Sequence, residues 1–146
     1  MIVYHGTSTK FLKQIRAKGL KNPYVTKILK DAADYAYAAV DKDLSGKPIV
    51  LMIELTKFGN LRYDGPAMNE PLSSAYDRKR NLWWNKAARE HPEWVNKKHG
   101  TVSIPAREWK YSWGGVGSAI YEGILGADAI RMILPAGEIK KHFAYE

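Results

Sequence analysis

The sequence predicts an α+β protein. Three observations lead there. Short runs rich in apolar and β-branched residues recur at 2–4, 49–55, 101–104 and 129–134. Helix-like stretches with their own start and stop signals lie between the first two runs. Between the second run and the third the chain turns polar, basic and rich in tryptophan.

Taken in order, Ile2-Val3-Tyr4 reads as a short strand. Ser8 or Thr9 suits a helix N-cap, because a side-chain oxygen there accepts an orphan backbone amide. Phe11, Leu12 and Ile15 then form one apolar face, and Gly19 is placed to stop the helix. Tyr24-Val25-Thr26 is a brief strand. A second helix runs from about Leu29 to Val40, with Ala32, Ala36 and Ala39 on one side. Gly46-Lys47-Pro48 breaks it. Ile49 to Ile53 is wholly apolar, the pattern of a central strand covered on both faces. Pro71 can open a further helix, where its missing amide costs nothing. From Asn69 to Gly100, Tyr76, Trp83, Trp84 and Trp94 alternate with basic residues. Thr101 to Ile104 reads as a strand ended by Pro105, and Trp113 to Gly117 as a flexible loop. Ile124-Leu125 and Ile130 to Leu134 are strand-like, with Gly126-Ala127-Asp128 between them.

A chain of 146 residues is expected to fold as one domain, 1–146, carrying a basic aromatic insertion at about 62–113. No repeat or linker divides it. No apolar stretch reaches the ~20 residues of a membrane-spanning helix, and no secretory signal opens the chain. The absence of cysteine excludes disulfides, thiol nucleophiles and Cys-ligated metals, and it fits a cytoplasmic protein. The formal charge of +8 favours an anionic partner but does not single one out. His5, His91, His99 and His142 have no convincing metal spacing, although His91 and His99 would share a face on a helix. No metal is expected. No Walker phosphate loop or nucleophile elbow is present.

Three motifs stand in a telling order. Tyr4-His5-Gly6-Thr7-Ser8 closes the first strand. Tyr24 and Tyr35 follow, eleven residues apart, the second inside Ala32-Ala33-Asp34-Tyr35-Ala36. Late in the chain, Tyr121-Glu122-Gly123 precedes the last two strands. This order resembles the ADP-ribosyltransferase superfamily in its His-Tyr-Glu branch, which includes poly(ADP-ribose) polymerases and diphtheria toxin. The resemblance covers roughly 1–57 and 115–140.

The resemblance implies a split β-sandwich: two small antiparallel sheets around an NAD cleft, with flanking helices. It implies an NAD-dependent mono-ADP-ribosyltransferase that modifies a protein or nucleic-acid acceptor and releases nicotinamide, with NAD as substrate and the enzyme a monomer. In that frame His5 holds the adenosine ribose and Gly6 pairs with the carboxamide, while Thr7 and Ser8 add hydroxyl contacts. Tyr24 and Tyr35 sandwich the nicotinamide, at roughly 0.5–1.5 kcal/mol per aromatic pair. Glu122 binds the ribose 2′-hydroxyl and offsets the oxocarbenium charge, as carboxylates do in glycoside hydrolysis. Asp128 and Glu138 are its rivals. The catalytic set is thus His5, Tyr24 and Glu122. Ile120 stands where other members carry Glu or Gln, against arginine modification. With Trp109, Tyr111 and Trp113 it would face the acceptor. Alternating cations and rings in the middle segment also suit single-stranded nucleic acid, or else mark a packed Trp core under a solvated basic face. Two other readings stand beside the first. A tRNA 2′-phosphotransferase shares the His-Gly landmark but needs a second His where Tyr24 stands. A non-catalytic binding module would keep the fold without NAD.

Overall fold

A computed structural model describes residues 1–43, 46–69 and 74–143. The chain is mixed α/β, with eight strands and six helices among these residues. The strands belong to a larger antiparallel sheet and a separate two-stranded one. The residues gather into two compact units, Met1–Asn60 with Tyr121–Glu146, and Leu61–Ile120.

In the first unit β1 (Ile2–Ser8) is the centre. It pairs antiparallel with β4 (Pro48–Glu54) along its whole length, from Ile2↔Glu54 to Ser8↔Pro48. On its other side it meets β3 (Tyr24–Thr26) at Tyr4↔Thr26. β4 continues to β8 (Ile130–Pro135), with a bulge between Met52 and Ile53. The apolar run of β4 is covered as its sequence demands: Val50, Leu51 and Ile53 are fully buried. The first strand runs to Ser8 rather than stopping at Tyr4, because β4 offers it a full-length ladder.

Ser8 does cap the turn that follows, its Oγ accepting from Lys10 N at 3.2 Å. A 3-10 turn (Thr9–Phe11) leads into α1 (Leu12–Lys18). Gly19 ends that helix at φ 76°, a conformation that favours glycine. Thr26 Oγ1 accepts from Ile28 N and turns the chain into α2 (Leu29–Asp43). Small side chains let α2 lie directly on the sheet. Ala32, Ala33 and Ala36 are fully buried, in one cluster with Val50 and with Ala136 and Ile139 of α6 (Ala136–Phe143).

The second sheet is far smaller than expected. It consists of β2 (Leu20–Lys21) and β7 (Ile124–Leu125) alone. Positive-φ glycines at 19 and 123 abut these strands and stop the ladder from extending.

The second unit is mainly helical: α3 (Gly65–Asn69), α4 (Ser74–Glu90) and α5 (Lys110–Gly115), with strands β5 (Leu61–Arg62) and β6, which spans Ser118–Tyr121. Two expectations fail here. Thr101 to Ile104 is not a strand: only the isolated bridge Val95↔Val102 forms, since Pro105 follows at once. The stretch expected as a flexible loop at 113–117 is largely helix, because its glycines fit under bulky neighbours. A Cβ on Gly114 would enter the Trp83 ring, and one on Gly115 would lie 2.7 Å from Met68 Sδ. Pro71 and the Tyr76 side chain lie outside the described residues.

Candidate functional site

Backbone carbonyls and amides of the first unit link His5 to Tyr24 and the Glu122 segment to the residues before Tyr24. His5 sits where β1 and β3 part, one residue past the Tyr4↔Thr26 pair. Its Nδ1 lies 2.7 Å from the carbonyl oxygen of Tyr24. A carbonyl only accepts, so Nδ1 carries the proton. Burial lowers the pKa of the ring below its ordinary value, and the bond to Tyr24 opposes that in part. The neutral tautomer with Nδ1–H leaves Nε2 as an acceptor, suited to a hydroxyl donor.

Tyr24 is 48 % exposed and Tyr35, on α2, is 47 % exposed. Both are therefore surface rings within the first unit rather than core. Tyr37, the other tyrosine of that helix, packs instead against the alanine cluster. The separation of about 200° around the helix explains the difference. A Cβ on Gly6 would lie 2.6 Å from Ala36 N and closer still to Ala32 O. Its lack of a side chain thus serves helix packing, whatever its main chain does with a ligand.

Thr7 and Ser8 are 7 % and 1 % exposed. Ser8 Oγ is engaged as a cap, and Thr9 Oγ1 accepts from Lys47 N at 2.9 Å. The Ser8 and Thr9 hydroxyls thus hold the strand end and the turn after it.

Glu122 is exposed and follows β6 directly. Its backbone is held from both sides by asparagines. Glu122 N donates to Asn60 O at 2.8 Å, and Asn60 Nδ2 donates back to Glu122 O at 2.9 Å. Gly123 N donates to Asn22 Oδ1 and Asn22 N to Gly123 O, each at 2.7 Å. One residue earlier, Tyr121 N donates to Pro23 O at 2.9 Å. The chain that carries Glu122 is therefore fixed beside the segment that leads into Tyr24. Asn22 and Asn60 were missed from sequence. Asn22 had one readable signal, an Asn before Pro at a turn, and it adopts φ 48°, which asparagine tolerates better than most residues.

The rivals are placed differently. Asp128 lies in a 3-10 turn (Ala127–Ala129), where its carbonyl accepts from Arg131 Nη1. Glu138 lies in the first turn of α6.

The aromatic residues of the second unit are committed to one another. His91 stacks on Trp94 at 3.7 Å and 12°. Tyr111 meets Trp83 and Trp94 edge-on at 6.0 and 5.7 Å, and Trp109 meets Trp113 at 5.8 Å. Tyr111, expected to face an acceptor, is 6 % exposed within α5, and burial raises its pKa, with Glu90 and Glu108 adding to the rise. Trp109, Trp113 and Ile120 are half-buried. The packed-core reading of these rings therefore holds better than a row of open stacking platforms. A buried polar knot supports the same unit: Asp64 accepts from Ser118 Oγ at 2.6 Å and from Ala67 N at 3.1 Å. Arg80, beside Asp77, donates to Met68 O at 2.9 Å. His91 and His99 share no helix face, since α4 ends at Glu90 and His99 sits in an exposed turn capped by Asn96. The His142 side chain lies outside the described residues.

No protein-family model matches the chain, and no curated protein matches it.

Proposed function

We propose that the protein is an NAD-dependent mono-ADP-ribosyltransferase with a macromolecular acceptor, built on an ADP-ribosyltransferase-like split sandwich. One observation carries the reading: His5 Nδ1–H is anchored on the Tyr24 carbonyl, so the histidine and first tyrosine of the motif form one unit with Nε2 left to accept. A neutral imidazole acceptor fits a ribose hydroxyl, and exposed tyrosines fit a flat ring. Two further observations support it. Tyr35 is on the surface, while Tyr37 is half-buried and packs against the alanine cluster. Glu122 follows β6 on a backbone pinned by Asn60 and Asn22.

In this reading the ribose C1′–nicotinamide nitrogen bond breaks and nicotinamide leaves with the electron pair. An acceptor nucleophile bonds to C1′ and gives up its proton. The Glu122 carboxylate accepts from the ribose 2′-hydroxyl and offsets the positive charge that grows on the sugar. Backbone bonds at Glu122 and Gly123 hold in place the chain that carries this carboxylate.

The test is incubation with labelled NAD and cell extract, followed by protease or nuclease. Label on macromolecules that disappears with one of the two treatments supports transfer and names the acceptor class. Absence of any transferred label, with nicotinamide release no faster than the blank, would reject it.

A further inference from the structure

The first unit holds a cavity of about 320 Å³ that the transfer reading does not use. Its walls are Leu12, Ile15 and Arg16 of α1, Ala127, and Ile130 through Ile133 of β8. Successive strand residues point to opposite faces, so a cavity touching four of them in a row runs along the side of the strand. β8 is a terminal strand of its sheet, with β4 its neighbour among the described residues. Such an edge offers main-chain groups with which another chain can pair. Met132 and Ile133 on it are 50 % and 36 % exposed.

Charge indicates what the groove accepts. From Met1 to Lys30 the chain contains no acidic residue. Lys13, Arg16 and Lys18 on α1, with Lys10 and Lys21 beside its ends, are all exposed. The nearby carboxylate of Glu54 is held by Arg131, whose Nε donates to it at 2.8 Å and which holds the Glu54 pKa down. Asp128 lies in the 3-10 turn that leads into β8. Apart from Arg16 and Arg131 the lining is apolar, and it has no aromatic platform. That favours a polypeptide over nucleic acid, whose bases are usually held on rings.

We propose that the groove between α1 and β8 docks an extended acidic segment of a partner protein. The segment adds its main chain to the β8 edge, sets an apolar side chain in the cavity and lays carboxylates against Lys13 and Arg16. This is strand addition, where backbone bonds give affinity and alternate side chains give specificity. It requires no NAD chemistry.

Fluorescence polarisation of the full chain with a fluorescein-labelled alternating Glu–Val peptide of about ten residues tests it. The wild type should bind this peptide and bind the alternating Gln–Val peptide about tenfold more weakly or worse. Arg16→Glu and Met132→Glu change exposed side chains, so each should melt as the wild type does and lose about tenfold or more in affinity. No binding by the wild type, equal binding of the Gln–Val peptide, or full affinity in both variants would overturn the proposal. So would displacement of the peptide by oligo-uridylate at lower concentration than by unlabelled peptide, which would make the groove a nucleic-acid surface.

Discussion

Substituting alanine for Gly6 tests the packing that underlies the site. The new methyl would lie 2.6 Å from Ala36 N and nearer still to Ala32 O, whereas real contacts of this kind stay above 3.0 Å. Both obstacles are helix backbone, so no side chain can swing aside. α2 and β1 must part by about 1 Å, and the alanine cluster with Val50, Ala136 and Ile139 loses its close fit. Overpacking of this kind costs about 3 kcal/mol. For a chain of this size that lowers the melting temperature by roughly 6–12 °C. Urea unfolding should show a lower midpoint at unchanged slope. Tyr35 rides on the displaced helix, so NAD affinity should fall as well. A Gly6→Ala protein that melts within about 2 °C of wild type, yet no longer binds NAD, would refute the packing argument. It would mean that glycine is there for ligand approach.

Three further outcomes are expected. The folded state lowers the His5 pKa below the ordinary 6.5, so between the two values the unfolded chain holds more protons. The stability contributed by neutral His5 is complete above about 6.5 and is lost as pH falls through the folded value, and His5→Gln should flatten that part of a pH–stability curve. Ser118→Ala strips Asp64 of a 2.6 Å buried donor, and denaturant titration should show a loss of about 2 kcal/mol. Asn60→Ala removes the bond to the Glu122 carbonyl while the Glu122 N–H keeps its backbone acceptor, so the protein should stay folded and transfer should slow through kcat more than through KM.

Much of the fold was legible where one residue type dominates a segment. The unbroken apolar run of β4 announced a strand covered on both faces, and the alanines of α2 announced a helix with one small-residue side. Gly19 and Ser8 marked the ends of the first helical segment. What could not be read depends on distant partners. β1 is longer than its apolar residues because β4 is there to pair with it. The helix at 110–115 contains two glycines that local propensity counts against, and it forms because Trp83 and Met68 fill the space above them. The same tertiary logic governs the site. His5, Tyr24 and Tyr35 were visible as a motif, and Tyr35 was separable from Tyr37 by helix geometry. The clamp of Asn22 and Asn60 on the Glu122 segment was not visible, since it rests on contacts between residues far apart in sequence.

The most direct test of the central claim is a labelled-NAD transfer assay on Glu122→Gln. The substitution keeps the shape of an exposed side chain whose backbone is held by Asn60 and Asn22. A contact made only in the transition state lowers kcat and kcat/KM together. The account predicts unchanged folding and NAD affinity, with transfer slower by about 10²–10³. A fully active Glu122→Gln protein would contradict it and turn attention to Asp128 and Glu138.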